Sequence, residues 1–309
     1  MDWHLFGTGV NVWIAQTYIR LKLAGAPVSI SPVPTDEGIV VLHADDMHKY
    51  LKSAGANKKC LIVCVRADRE PQPYADFEIV QNMASSRNTR CRHVPHWPQP
   101  GLIPRDERRG AELSNVAFKG SNLESNAMFK SELWSDFLRS ESLHWVEDQA
   151  YWTGGGAKGY KDVSWNDYSN IDLIVAIRRD PSNKYNNKPA SKLINAWLAG
   201  VPAILGAEVA YRELRKSRLD YMEAVTLEDV IGSIRMLKSN PEVYKSMVDN
   251  GKIRAQEFGA KKIEARWLCL LMDDLTKIYH SPFWLMMRHL PIGARKRFRK
   301  ILATDGALI

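Results

Sequence analysis

The sequence lacks several features that would place it in well-marked classes of protein. No window approaches the ~18 uninterrupted apolar residues of a conventional membrane span. The amino terminus, MDWHLFGTG, has neither a basic start nor an apolar segment, so no signal peptide is predicted. The four cysteines form no pair of C-x-x-C motifs with zinc-like spacing. We therefore expect a cytoplasmic protein without a membrane span or a structural zinc site.

Cysteine placement supports a reducing compartment. Cys60 and Cys64 lie in the strand-like run KKCLIVCV, where both side chains are expected to face the interior as reduced thiols. With 45% hydrophobic and 25% charged residues, the 309-residue chain has ordinary globular composition and is long enough for two domains.

The net charge of +8 suggests nucleic-acid binding, but its distribution disfavours that function. No zinc-finger, RRM-like or KH-like signature accompanies the charge. Six basic residues are concentrated in the carboxyl-terminal tail, residues 281–309: Arg288, Arg295, Lys296, Arg297, Arg299 and Lys300.

Short Val- and Ile-rich runs alternate with amphipathic stretches along most of the chain. In the first part, strands are predicted at 27–31, 38–43, 60–66 and 77–81, with helices at 10–24 and 47–53. In the second part, strands are predicted at 116–119, 144–147, 171–177 and 201–205, with helices at 127–139, 190–199, 227–238, 241–258 and 261–279. This alternation indicates an α/β protein with parallel sheets covered on both faces.

A proline-rich segment, residues 95–109, separates two such regions and predicts an interdomain hinge. We predict an amino-terminal, acceptor-side Rossmann-like domain over 1–108, a nucleotide-sugar-binding Rossmann-like domain over 109–280 and a basic amphipathic tail over 281–309. Two doubly wound domains in tandem are expected to bind a ligand in the cleft at their carboxyl strand ends.

Cationic side chains gather around the end of the predicted strand 171–177 and the helix that follows it. They are Arg178, Arg179, Lys184, Lys188 and Lys192. Cations at a strand end and a helix amino terminus favour a diphosphate, because free amides and the helix dipole attract anions. The alternative is a solvated basic loop. We favour a diphosphate site within residues 187–203, because the helix there is nearly all apolar and must be buried.

The pattern K-P-x-x-K-L-x-x-A-x-x-A-G-V-P-A-I, which begins at Lys188, resembles the donor-site helix of GT-B glycosyltransferases of the family 1/4-like type. In many retaining members, two glutamates flank this helix and contact the sugar and the ribose. Asn187 and Asn195 occupy the corresponding positions. The stretch Ser191-Lys192-Leu193 resembles a segment of α1,3-fucosyltransferase-like enzymes, in which the lysine contacts the donor phosphates.

The resemblance implies a GT-B fold, with two doubly wound Rossmann-like domains facing across a cleft. It also implies hexosyl or deoxyhexosyl transfer from a nucleotide-diphosphate sugar to a glycan or lipid-linked glycan hydroxyl, as in polysaccharide biosynthesis. No D-x-D motif occurs. We therefore expect neither metal nor cofactor, with the diphosphate neutralised by Arg178, Lys188 and Lys192. A two-lobed protein that binds a nucleotide or sugar without chemistry is the alternative, because Asn replaces both glutamates.

Acceptor-side candidates lie in the first domain. The turn Gly7-Thr8-Gly9 precedes a helix, and Val12 stands where a dinucleotide-binding fingerprint needs glycine. The resemblance makes Gly9 a contact to the donor phosphate or the acceptor, and a plain tight turn is the alternative. His43 and Asp45 follow a strand, and either could act as the base for an acceptor hydroxyl. Alternatively, Asp45 caps the next helix.

Three further groups of residues are candidates for a functional role. The glycine-rich loop 154–159 is interpreted as a mobile loop over the donor. His93, His96 and Trp97 are either acceptor contacts or interdomain packing. The tail combines apolar side chains at 283–290 with the six cations, which suggests an anchor on the anionic inner face of a membrane. Packing of the tail on the first domain is the alternative.

Overall fold

The computed structural model describes residues 6–7, 9–33, 35–54, 59–86, 89–150, 163–179 and 185–304. The chain divides into two compact units. We call residues 1–7, 97–186 and 190–259 the central unit, and residues 8–96, 187–189 and 260–309 the terminal unit.

Each unit contains one sheet in which every strand pair is parallel. The terminal unit has the order β1-β2-β3-β4 and the central unit the order β6-β5-β7-β8-β9. The strands are β1 Glu37–His43, β2 Lys59–Ala67, β3 Phe77–Val80, β4 Cys91–His93, β5 Asn115–Ser121, β6 His144–Ala150, β7 Leu173–Ala176, β8 Ala203–Leu205 and β9 Met222–Glu223.

Helices connect these strands and form most of the chain after residue 223. They are α1 Gln16–Leu23, α2 Met47–Ala54, α3 Glu132–Ser140, α4 Ser191–Ala199, α5 Val209–Leu214, α6 Leu227–Ser239, α7 Pro241–Ala255, α8 Ala260–Leu268, α9 Leu275–Tyr279, α10 Pro282–Met287 and α11 Ile292–Thr304. Two π-helical stretches, Asn11–Ala15 and Cys269–Asp274, run directly into α1 and α9.

The central sheet is covered on both faces, because successive strand residues point to opposite sides. In β7, Ile174 and Ala176 pack in one apolar cluster with α4 residues such as Leu193. Leu173 and Val175 pack in a second cluster, with residues of α3, α6 and α7. The α/β prediction of parallel sheets is confirmed.

The strong local signals predicted their elements well. In β2 every residue after Lys59 is buried, and Cys60 and Cys64 are free thiols that are 0% exposed. Helix α4 ends at Gly200, whose left-handed conformation (φ +70°) suits glycine because it has no Cβ.

The strand predicted at 27–31 is wrong. Gly25 turns the chain at φ +81°, and the Val28 amide bonds locally to the carbonyl of Ala26 rather than to a neighbouring strand. Ile30 is 63% exposed, so the apolar residues that suggested a strand are not part of a core. The helix predicted at 127–139 is a 3₁₀ turn over 127–130 followed by α3.

The central and terminal units differ from the predicted domains in some segments. Residues 260–309 belong to the terminal unit, whereas the sequence placed residues up to 280 with the nucleotide-sugar-binding domain. The change of unit after residue 96 lies inside the predicted hinge at 95–109. The predicted domain boundaries themselves stay a prediction.

Candidate functional site

The carboxyl ends of three adjacent strands in the central unit carry a cluster of charged side chains. Beyond β5 stands Glu124, beyond β7 stands Arg178 and beyond β8 stands Glu208, while α4 contributes Lys192 from its first turn. We call these four side chains the central cluster. The carboxyl edge of a parallel sheet is where α/β proteins bind ligands.

Short ion pairs hold the central cluster together. Arg178 Nη1 lies 2.7 Å from Glu124 Oε1, and its Nε lies 2.7 Å from Glu208 Oε2. Lys192 Nζ lies 2.9 Å from the other Glu124 oxygen, Oε2. Burial lowers the pKa of Arg178, but the charges of Glu124 and Glu208 outweigh it and raise that pKa above its ordinary value. Glu124 therefore bridges the two cations.

Gly120, at the end of β5, makes room for Lys192. A Cβ atom at position 120 would lie 3.3 Å from both Cε and Nζ of Lys192 and 3.1 Å from the Phe118 ring. The ammonium also lies 5.7 Å from the centre of that ring. The glycine thus allows the lysine to pass across the strand end, close to the amino terminus of α4.

Asn195 lies on α4 but not in the central cluster. Its side chain is mostly buried, and its Oδ1 accepts a hydrogen bond from the Gln99 backbone amide at 3.1 Å. The Asn195 side chain thus links α4 to Gln99, near the start of segment 97–186 of the central unit.

Asn187 and Lys188 form their contacts within the terminal unit. Arg66 donates to Asn187 Oδ1 at 2.8 Å, and Asn187 Nδ2 donates to Glu70 at 2.6 Å. Both ends of the Asn187 amide are therefore engaged beyond the end of β2. A glutamate at this position would face Glu70 with like charge.

Lys188 is paired with Asp68 at 2.6 Å, and its backbone carbonyl accepts from Asn82 Nδ2 at 3.0 Å. Burial raises the pKa of Asp68, but Lys188, Arg69 and a backbone hydrogen bond together outweigh it and lower that pKa. Lys188 thus contacts residues 68 and 82, whereas Lys192 and Arg178 share Glu124.

His43 ends β1 with its ring almost completely buried, at 1% exposure. Its Nδ1 accepts a hydrogen bond from the Asp45 amide at 3.1 Å. Burial lowers the pKa of His43 against the opposing charge of Asp45, so the neutral ring carries its proton on Nε2. Nε2 is buried without a hydrogen-bond partner among the described residues, and a Cβ at Gly9 would lie 3.2 Å from it.

Asp45 is held by Arg69 in a two-pronged pair. Arg69 Nε lies 2.6 Å from Oδ1 and Nη2 lies 2.9 Å from Oδ2. The hydrogen bond from Arg69 lowers the pKa of Asp45. The ring of His43 caps the 3₁₀ turn 44–46 that precedes α2. The alternative that Asp45 caps the following helix stays a prediction.

Sequence reasoning missed Glu124, Glu208, Asp68 and Arg69. Each follows a strand within a few residues, so its place after a predicted strand end was the available signal. The ion pairs could not be predicted from the sequence, because they join positions as far apart as 124 and 192.

The tail packs on the terminal unit through its apolar side chains and one cation. Trp284, Met287 and Ile292 are buried. Arg295 is 0% exposed, so the prediction that it contributes to a membrane-binding face is wrong. Leu285 and Met286 are exposed at 40% and 56%.

His93 and His96 also lie in the terminal unit. Burial and the charge of Arg266 lower the pKa of His93 to about 4. His96 stacks edge-to-face on Trp13, with the ring centres 4.7 Å apart. In the central unit, Trp97 is fully buried. Their predicted acceptor contacts stay predictions.

Two features are absent from the residues that the structure describes. None of their helices combines the length and apolar character needed to cross a bilayer. Within the same ranges, no three His, Cys, Asp or Glu side chains are grouped to hold a metal ion. Lys184 and the loop 154–159 lie outside the described residues.

No family model matches the sequence, and a search of curated proteins gives no match. Among solved structures, the chain is similar to AviGT4, a glycosyltransferase involved in avilamycin A biosynthesis. The TM-score is 0.52 at 12% identity, over 88% of this chain and 91% of that one. It is also similar to a point mutant of S. aureus TarM in complex with fondaparinux, α-GlcNAc-glycerol and UDP, with a TM-score of 0.52 at 10% identity over 75% of this chain and 55% of that one.

Sucrose-phosphate synthase from Thermosynechococcus elongatus matches with a TM-score of 0.44 at 14% identity, over 65% of this chain. The chain spans about 59% of the length of that enzyme. The similarities to AviGT4 and TarM establish the fold: the GT-B class predicted from the sequence is confirmed.

Proposed function

We propose that this protein is a glycosyltransferase that uses a nucleotide-diphosphate sugar and transfers a hexose or deoxyhexose to a glycan or lipid-linked glycan hydroxyl. The observation that carries the proposal is the placement of Arg178 and Lys192 together at the carboxyl edge of the central sheet. TarM, which has a similar fold, binds UDP.

On this proposal, Lys192 contacts the diphosphate and stabilises the leaving nucleoside diphosphate as its charge develops. Arg178 supplies a second cation at the same strand edge, and Gly120 keeps the path of the lysine open. On α4, Asn195 is the residue that the proposal assigns to the ribose. Asn187 and Lys188 remain proposed donor contacts, and both side chains are held by partners beyond β2. The transfer needs no metal on this proposal.

The acceptor side is assigned to Gly9, His43 and Asp45. Because Nδ1 of His43 already accepts a hydrogen bond, its Nε2–H serves as a donor to a ligand oxygen rather than as a base. Asp45, with both oxygens on Arg69 and a lowered pKa, is a weak base whose main effect is to hold Arg69.

A binding protein without chemistry is the second candidate. It is favoured by one observation: the side chains of Asn187 and Asn195 both contact other protein groups. Amides at these positions cannot supply the negative charge of the glutamates that they replace.

The two candidates separate in one set of measurements. UDP-, GDP-, CMP- and dTDP-sugars are tested for thermal stabilisation and for sugar release or transfer, with Lys192→Ala beside the exposed control Lys245→Ala. We expect Lys192→Ala to weaken donor binding by about tenfold to a hundredfold, as the loss of a charge-assisted contact of roughly 1.5–3 kcal/mol predicts.

Lys245→Ala should behave like the wild type. Binding without turnover would favour the binding protein. Stabilisation by none of the sugars would reject a nucleotide-sugar site altogether.

We also propose that the protein attaches peripherally to the anionic inner face of a membrane. Exposed Leu285 and Met286 offer apolar contact, and Lys296 and Arg297 lie on α11 in a stretch, 281–300, that contains no acidic residue. Flotation with vesicles containing phosphatidylglycerol, against pure phosphatidylcholine, tests it. Met286→Ser should reduce binding to the anionic vesicles, and equal binding to both kinds would reject the proposal.

A further inference from the structure

The central cluster is balanced in charge. Its two cations, Arg178 and Lys192, are matched by two carboxylates, Glu124 and Glu208, all within 2.9 Å of a partner. Taken by themselves, these four side chains offer a diphosphate no excess of positive charge. For the cluster to bind an anion, a carboxylate must leave.

The two carboxylates differ in their exposure and in the number of cations that they contact. The side chain of Glu208 is 5% exposed and forms its ion pair with Arg178. The side chain of Glu124 is 23% exposed and belongs to the connection between β5 and the 3₁₀ turn at 127–130. Glu124 is therefore the more solvent-accessible carboxylate, and it is the one that contacts both cations.

Removal of Glu124 would open the inner faces of both cations at once. Lys192 pairs with Oε2 of Glu124, and Arg178 uses Nη1 for Oε1 while Nε stays on Glu208. An anion that takes the place of Glu124 would gain one ammonium and one guanidinium N–H, while Glu208 continues to orient Arg178. Each charge-assisted contact is stronger than a neutral hydrogen bond.

We propose that Glu124 is an internal substitute for the ligand's diphosphate: it occupies the anion position and is exchanged for the diphosphate on binding. The inference rests on the proposed function. Glu124 then lowers the affinity for every nucleoside diphosphate by competing for Lys192 and Arg178. It also occupies Nη1 of the buried guanidinium and the ammonium of Lys192 when no ligand is bound, so that these donors are not left unsatisfied.

The test is titration calorimetry of the full chain with UDP, GDP and dTDP. Glu124→Gln keeps the length of the side chain but removes the competing charge. We expect a Kd about tenfold lower than that of the wild type, equivalent to about 1.4 kcal/mol. Glu242→Gln, at an exposed position in the first turn of α7, makes the same change of net charge in the same unit and should leave the Kd unchanged.

The outcomes separate the inference from the function on which it rests. If the wild type binds a nucleotide and Glu124→Gln binds it equally or more weakly, the exchange is wrong and the proposed function stands. If tightening appears equally in Glu242→Gln, the effect is one of general charge, and the exchange is again wrong. If neither the wild type nor the variants bind a nucleotide, both proposals fail.

A second variant decides the matter if Glu124→Gln does not fold. Glu124→Asp keeps the charge but is one methylene too short to span both cations, so it should also bind nucleotides more tightly, by less than Glu124→Gln. A melting curve of each variant without ligand confirms the fold. A Glu124→Asp protein that folds and binds no more tightly than the wild type would overturn the exchange.

Discussion

Arg295 gives the sharpest test of how the tail is held. Its side chain is 0% exposed in the terminal unit. Nη1 donates to the Cys60 carbonyl at 3.1 Å, Nε to the Leu290 carbonyl at 3.0 Å and Nη2 to the Arg288 carbonyl at 3.0 Å. The guanidinium also lies 5.0 Å from the centre of the Trp284 ring.

The change to make is Arg295→Met, which keeps much of the length and apolar volume but removes every donor. Three carbonyls lose a hydrogen bond at about 1 kcal/mol each. Asp76, whose Oδ2 lies 3.5 Å from Nη1, loses a nearby cation in a buried place. Breaking a buried pair by removing one partner costs about 3–5 kcal/mol, and we expect a loss in that range.

Urea unfolding followed by circular dichroism measures this loss as a change in the free energy of unfolding. The melting temperature should fall by roughly 10 °C. Arg297→Met, the same substitution at an exposed position two residues along α11, should change stability by less than about 0.5 kcal/mol. A loss below about 1 kcal/mol for Arg295→Met, or equal losses for both variants, would refute the reasoning.

Two further predictions concern the terminal unit. The pKa of His93 is about 4, against about 6.5 in the unfolded chain, so the unfolded chain takes up the proton first as the pH falls. Stability should therefore drop by roughly 2 kcal/mol from pH 7 to pH 5, and His93→Gln should remove that part of the slope in urea titrations. Asp45→Asn should lower turnover by less than about tenfold, because Arg69 already occupies both carboxylate oxygens. A loss of about a hundredfold, with a changed pH–rate profile, would instead make Asp45 the base.

The elements that the sequence predicted well are those with strong local signals. The run around Cys60 and Cys64 is apolar on both faces, as a central parallel strand requires, and it forms β2. Gly200 ends α4 because glycine adopts the left-handed conformation without strain, and this signal depends on that residue alone. In each case the information lies within a few neighbouring residues.

Charge was harder to interpret, because the sequence shows a cation but not its partner. Lys188 and Lys192 stand four positions apart, yet Lys188 pairs with Asp68 in the terminal unit and Lys192 with Glu124 in the central unit. Arg295 was grouped with the other basic residues of the tail, although its carbonyl partner at Cys60 is 235 positions away along the chain. The cationic character of these segments was predictable, and the pairing was not.

The division of the chain into two units determines which unit can fold first during synthesis. Nearly all of the central unit comes from one stretch, 97–259, whereas the terminal unit joins residues 8–96 to residues 260–309. The Tyr279 hydroxyl bonds to the amide of Gly38 across 241 positions. During synthesis, residues 8–96 must therefore wait, with their partner helices missing, while the central unit can fold. A slow step in translation after residue 259 would prolong that wait and leave the sheet without the helices of 260–309, exposed to aggregation or chaperones.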